Sequence, residues 1–272
     1  MKKIISTVIA ALLAFQSFGQ SDPDFHIYIC FGQSNMEGMA RPEAEDLIPC
    51  GRFKVLQAVD CGEYRMGEWR TAIAPLSRCS TGLGPVDWFG RTMVENTPDN
   101  IKTGVIVVSV AGCSISMFDK DTSYSYGNMK DGWTANVVKQ YGGDVYKRLV
   151  ELALKAKEDG VIKGILFHQG ESDLKDPEWA ARVKKVYDDL LSDIGLEAGS
   201  LPFLAGETLY GGRFDAHNEK VRHLPETLPQ TVVISAEGCS GAEDNTHFTA
   251  EGYRELGRRY AKAMLSLPGQ AE

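Results

Sequence analysis

Apolar runs stopped by glycine alternate along this chain with stretches whose apolar positions recur every three to four residues. Residues 26–31 form a short apolar run ended by Gly32, residues 53–59 form a second, and residues 105–110 form a third, rich in β-branched side chains and ending at Ala111-Gly112. Continuous runs of this length read as strands buried on both faces. Further on, residues 141–158 read as an amphipathic helix, 161–167 as a strand, 179–194 as a helix, 202–205 and 231–235 as strands, and 249–265 as a closing helix.

Strands that alternate with helices predict a mainly parallel sheet with helices on both faces, because parallel neighbours need crossover connections. Ligands of such sheets sit outside the carboxyl ends of the strands. The polar clusters fall at those ends: Gly32-Gln33-Ser34-Asn35, then Gly112-Cys113-Ser114, then His168-Gln169-Gly170-Glu171. One site built from several loops is the economical reading. Residues 36–100 are long and weakly patterned, which predicts loops shaping a substrate surface.

Length and composition add that this is one domain. The chain has 272 residues, 43% of them hydrophobic and 24% charged, enough for a single α/β core. Lys2 and Lys3 followed by an apolar run to Phe15 and the small-residue pattern Ser17-Phe18-Gly19 read as an export signal over residues 1–19. The apolar run is too short to span a bilayer core of roughly 30 Å, so the expectation is a single domain over residues 20–272, exported to the periplasm or beyond, with no membrane insertion.

The formal charge is −8, and loss of Lys2 and Lys3 takes it to −10, with no basic cluster able to neutralise successive phosphates. Nucleic acid is therefore excluded as a partner, and a neutral polysaccharide or sugar ester fits better than a polyanion. Six cysteines (Cys30, Cys50, Cys61, Cys79, Cys113, Cys239) in an exported chain allow one to three disulfides, with Cys30 expected as a buried free thiol. Neither they nor the five histidines show metal-ligand spacing, and no metal or other cofactor is expected.

Ser34, directly after a strand-ending glycine and Gln33, sits where a hydroxyl can be held above a sheet, although a serine there can equally cap a helix. Asp244 precedes His247 by three residues. A carboxylate so placed accepts the Nδ1 proton and leaves Nε2 to take a proton from a serine. Acyl transfer also needs donors for the oxyanion. Gly112 offers an N–H and Gln169 a side-chain amide, each at a strand end.

Together the blocks 31–38 (Phe-Gly-Gln-Ser-Asn-Met-Glu-Gly), 168–173 (His-Gln-Gly-Glu-Ser-Asp) and Asp244-x-x-His247 resemble the landmarks of the SGNH hydrolases, in their sialate O-acetylesterase-like and acetyl xylan esterase branch, carbohydrate esterase family six among them. The likeness runs from about residue 25 to 265. It implies a three-layer α/β/α sandwich with a flavodoxin-like sheet of about five parallel strands. It further implies Ser34 as nucleophile, His247 as base, Asp244 as its orienter, and an oxyanion hole from the Ser34 and Gly112 N–H groups with the Gln169 side chain. Gln33 and Gln169 depart from the wider superfamily, which has Gly-Asp-Ser in the first block and an asparagine as donor. Gln33, Asn35 and Glu171 are supporting candidates, with Glu171 either steadying the base or holding its loop.

The implied activity is removal of acetyl groups from carbohydrate through an acetyl-serine, with acetylated xylan or a related plant polysaccharide ahead of an O-acetylated sialic acid. A lipid esterase ranks lower for want of a long apolar loop, and a carbohydrate-binding protein that has lost catalysis is the reading from another class. Trp69, Trp88, Trp133, Tyr124 and Tyr126 lie in loop-like stretches, where they either pack into the core or form a platform for sugar.

Overall fold

The computed structural model describes residues 21–270, so the export signal read over residues 1–19 lies outside the described residues. Seven strands form one sheet: β1 (Phe25–Gly32), β2 (Phe53–Leu56), β3 (Trp69–Thr71), β4 (Lys102–Ser109), β5 (Val161–His168), β6 (Phe203–Gly206) and β7 (Thr231–Ile234). Their order is β3-β2-β4-β1-β5-β6-β7. All neighbours are parallel except β2 and β3.

The expected three-layer sandwich is therefore present, but the count of about five strands is corrected to seven. The additional edge is β3, an antiparallel partner for the four-residue β2, which would otherwise present unpaired backbone groups. Trp69 fastens it by packing on Phe25 with ring centroids 4.7 Å apart.

Alternation within the strands divides the core into two. Ile27, Ile29 and Phe31 of β1 face one side with Ile106 and Val108 of β4, while Tyr28 and Cys30 face the other with Val105 and Val107. The first side is covered by α3 (Trp133–Gln140), α4 (Val145–Asp159), α5 (Trp179–Asp193) and α6 (Asn218–Thr227); the second by α2 (Pro85–Glu95) and α7 (Ala250–Leu265). Burial on both faces is why the strand sequences run apolar without a break.

Two local expectations change. The helix expected over 141–158 begins only at Val145, because Gly142 and Gly143 both take positive φ (79° and 91°) and separate it from a first helix, α3, which ends at Gln140. The second then starts afresh behind Asp144, whose carboxylate accepts the Lys147 N–H at 3.0 Å. Residues 36–100, expected as loops, also contain α2, which packs so closely on α7 that a Cβ at Gly257 would stand 2.3 Å from the Pro85 carbonyl oxygen. One disulfide forms, Cys61–Cys79; Cys30, Cys113 and Cys239 are buried free thiols and Cys50 is also free.

The chain leaves β1 toward β2 and returns through β4, then crosses to β5 on the other side, so the direction of winding reverses at β1. The crevice at that reversal, at the carboxyl ends of β1, β4 and β5, is where open α/β sheets bind ligands.

Candidate active site

Ser34 opens α1 (Ser34–Glu37), a single turn directly beyond β1. β1 and β5 meet so closely there that a Cβ on Gly32 would lie 2.1 Å from the His168 carbonyl oxygen, and that same oxygen accepts the Gln33 N–H at 3.0 Å. The turn is thus clamped to the end of β5. Ser34 is 5% exposed, and its Oγ lies 2.9 Å from His247 Nε2.

His247 stands on the loop before α7. Its Nδ1 is 2.6 Å from Asp244 Oδ2, and Asp244 Oδ1 accepts the His247 and Thr246 N–H groups, each at 2.9 Å. Partial burial would raise the Asp244 pKa, but these hydrogen bonds outweigh it and bring it down to about 2. A carboxylate only accepts, so Nδ1 carries the ring proton and Nε2 turns a lone pair toward Ser34. Asn245 takes a left-handed conformation (φ 53°), and its carbonyl accepts the Arg213 N–H at 2.7 Å, which ties the loop to the segment after β6.

The free donors of the site come from two strand ends, those of β1 and β4. Neither the Ser34 nor the Gly112 N–H donates to any acceptor in the described chain. Both residues line a cavity of about 360 Å³ with Gln33, Met39, Glu171 and His247.

Gln169 is placed differently from expectation. It does not line that cavity; it lies behind it, 1% exposed, with its Oε1 accepting the Trp179 indole N–H at 2.8 Å. Its Nε2 donates to the Asp173 carboxylate, and to Gln33 Oε1 and the Cys113 carbonyl oxygen at 3.2 Å each. Every polar atom of that amide is committed to protein, so Gln169 has none to offer an oxyanion.

The partners also fix which way each amide points. An indole N–H only donates and a carboxylate only accepts, so the Gln169 oxygen faces Trp179 and its NH₂ faces Asp173 and Gln33. Gln33 Oε1 then receives that NH₂, and also the Gly170 and Ser172 N–H groups at 3.2 and 3.5 Å. The Gln33 NH₂ is left without a partner in the described chain, on a residue that lines the cavity beside Ser34.

Asn35 and Glu171 join the two halves of the site. The Asn35 amide donates to Glu171 Oε1 at 2.7 Å and to the Thr246 carbonyl oxygen on the histidine loop at 3.1 Å, and Asn35 Oδ1 accepts the Tyr253 hydroxyl at 2.7 Å. Burial raises the Glu171 pKa, with the Asn35 hydrogen bond opposing, and Glu171 Oε2 has no partner. Tyr253 and Trp179 escaped the reading of the sequence. One is an inward position on a helix and the other the first residue of another, and neither carries a mark that separates it from ordinary core.

Of the five aromatics in question, Trp133 lines a cavity. Trp69 packs on Phe25, Trp88 lies under the Arg258 guanidinium with 4.4 Å to its centroid, and Tyr126 bonds Ser116 at 2.7 Å. Among the described residues no three His, Cys, Asp or Glu side chains gather as metal ligands would, and no helix is long and apolar enough to cross a membrane.

The probable carbohydrate esterase At4g34215 of Arabidopsis thaliana is 27% identical over 261 residues, covering 90% of this chain and 92% of that one. Its X-ray structure superimposes with a TM-score of 0.70 at 23% identity over 90% of this chain and 99% of that chain. A carbohydrate acetylesterase from Xanthomonas citri gives 0.62 at 15% identity, covering 88% of this chain and 55% of that chain, and NanS gives 0.60 at 16%, covering 89% and 97%. These likenesses agree with the SGNH-type fold expected from the three sequence blocks. A family model described as carbohydrate esterase, sialic acid-specific acetylesterase (SASA), matches residues 24–266, and the chain belongs to that family.

Proposed function

We propose that this carbohydrate esterase is a serine enzyme that hydrolyses O-acetyl groups through an acetyl-serine intermediate. The observation that carries the reading is the line Ser34 Oγ, His247 Nε2, His247 Nδ1, Asp244 Oδ2, with separations of 2.9 and 2.6 Å, at the carboxyl edge of the sheet. His247 takes the Ser34 proton as Oγ attacks the acetyl carbonyl. The proton passes to the departing sugar oxygen, and water activated by the same ring then releases acetate.

The oxyanion formed at each step is held by the Ser34 and Gly112 N–H groups and, in this reading, by the Gln33 NH₂ in the place first given to Gln169. Gln169 instead holds Gln33 in that orientation. Asp244 keeps the imidazole in one tautomer and stabilises it when charged.

The proposed substrate is acetylated xylan or a related plant polysaccharide, in keeping with a chain of charge −8 that has no basic cluster for a polyanion. An O-acetylated sialic acid is the second reading, favoured by the description of the family. With residues 1–19 read as an export signal, the enzyme works outside the cytoplasm.

Acetate release by purified mature protein and its Ser34→Ala variant tests the proposal, using acetylated xylan, O-acetylated sialic acid and short- and long-chain nitrophenyl esters. Release from one sugar ester that vanishes in the variant supports the esterase and chooses its substrate. No release from any of them favours a carbohydrate-binding protein instead.

A further inference from the structure

A second cavity, of about 430 Å³, adjoins the first and shares Met39 and Ala111 with it, so the two run as one cleft along the carboxyl edge of the sheet. Both volumes lie in the range of ligand clefts, roughly 300–1,000 Å³. The remainder of the second wall comes from Glu37, Arg41, Arg78, Ser80, Thr81 and Trp133 among others. None of these belongs to the reacting groups. Building on the esterase reading, we propose that this cavity is a glycosyl subsite, seating a second pyranose unit of a substrate whose acetylated unit lies at Ser34.

The floor is Trp133, the first residue of α3, whose side chain is 52% exposed where Trp179 is fully buried. The Arg78 guanidinium carbon lies 5.7 Å from the Trp133 ring centroid. Arg78 is itself 4% exposed and cannot wander, because its Nε and Nη2 both donate to Glu37 Oε1, at 2.9 and 2.5 Å. The Cys61–Cys79 bridge fastens the residue after it. The indole therefore rests on an immobilised cation, and Glu37 closes the same turn that Ser34 opens. Floor and nucleophile are parts of one rigid assembly.

The rim is polar. Arg41 is exposed and has no acidic partner in the described chain, and Ser80 and Thr81 add hydroxyls. An aromatic floor with a guanidinium and hydroxyls around it matches a pyranose, which has an apolar C–H face and a ring of hydroxyls at its edge. An acyl chain would strip water from Arg41, Ser80 and Thr81 and return nothing. The acetyl-bearing unit would thus be recognised as part of an oligosaccharide rather than as a free sugar.

The test compares wild-type enzyme with Trp133→Ala, Trp133→Phe and Tyr124→Ala. Tyr124 is also exposed, at 62%, but does not line the cleft. The quantity read is kcat/KM on acetylated xylo-oligosaccharides and O-acetylated sialyl-oligosaccharides, divided by kcat/KM on 4-nitrophenyl acetate. Trp133→Ala is expected to lower that ratio about tenfold, mainly through KM, with partial recovery in Trp133→Phe and no change in Tyr124→Ala. An unchanged ratio in Trp133→Ala overturns the subsite. If no variant or wild type releases acetate, the esterase reading fails by itself. Calorimetric binding of xylotetraose and of a deacetylated sialyl-oligosaccharide then still decides: weakening of either in Trp133→Ala supports the subsite, and equal binding of both sinks it.

Discussion

The two sides of the catalytic cleft are held by opposite means. On the nucleophile side Gln33, Ser34 and Asn35 are 3%, 5% and 0% exposed, and their partners Gln169, Glu171 and Tyr253 come from distant parts of the chain. On the base side Asp244 has a side chain 52% exposed, and it bonds the ring and two N–H groups within its own four-residue loop. Oxyanion stabilisation demands donors fixed before the charge develops, which a buried network provides. A base that must accept and return a proton twice needs only a correct tautomer, which a local turn provides.

The contrast is broken most severely by removing the nucleophile: Ser34→Ala should lower kcat about 10⁴-fold or more, measured against 4-nitrophenyl acetate with folding checked by circular dichroism. Asp244→Asn belongs with the larger effects, about 10³–10⁴-fold in kcat, because the amide oxygen would keep the two backbone N–H groups and turn its NH₂ toward Nδ1, fixing the wrong tautomer. Next comes Gln33→Ala, for which kcat should fall about 10²–10³-fold with little change in KM, the cost of one oxyanion donor. Gln169→Ala should act through Gln33 and so cost less in kcat, but it leaves buried Asp173 short of a donor and should lower stability by about 1–3 kcal/mol in urea titration. A Gln169 defect in kcat larger than the Gln33 defect would reverse these assignments.

The Asp244 pKa of about 2 lies below its ordinary 3.8, so it stays ionised throughout the working range. The pH–rate profile of the wild type should accordingly carry no limb from Asp244 above pH 4, and a limb there that disappears in Asp244→Asn would contradict the hydrogen bonding described here.

The smallest effect concerns stability. Burial lowers the pKa of His168, at the end of β5, to about 3 and that of His217, against Trp179, to about 4. Unfolded histidines titrate near 6.5, so between pH 4 and 6.5 the unfolded chain binds more protons than the folded one. Stability is then complete above pH 6.5 and declines as pH falls toward 4. Calorimetry at pH 7, 6 and 5 should find the transition temperature descending, and His217→Phe should flatten that descent.

What the sequence made legible follows the same division. The long strands were plain because β1, β4 and β5 are apolar on both faces, and Asp244 with His247 was plain because its geometry is local. Residues Trp69–Thr71 were not, since three half-buried residues have no period to detect. Within α2, Pro85, Val86, Phe89 and Met93 did carry a helical pattern, submerged among glycines, prolines and arginines. The choice between Gln33 and Gln169 was beyond reach, because both are glutamines at strand ends and only contacts across 136 residues separate an amide used for support from one left free.

A glutamine amide rotated by half a turn keeps its shape and exchanges an acceptor for a donor. Two such groups in series form a chain of decisions, and in this protein the first is made by the indole N–H of Trp179, ten residues beyond Gln169 and on the far side of it from the cleft. Polarity is thus handed from helix to strand end to nucleophile turn, as a compass bearing is passed along a line. Losing that one proton while keeping the ring's bulk would leave the cleft its form but take away its agreed direction.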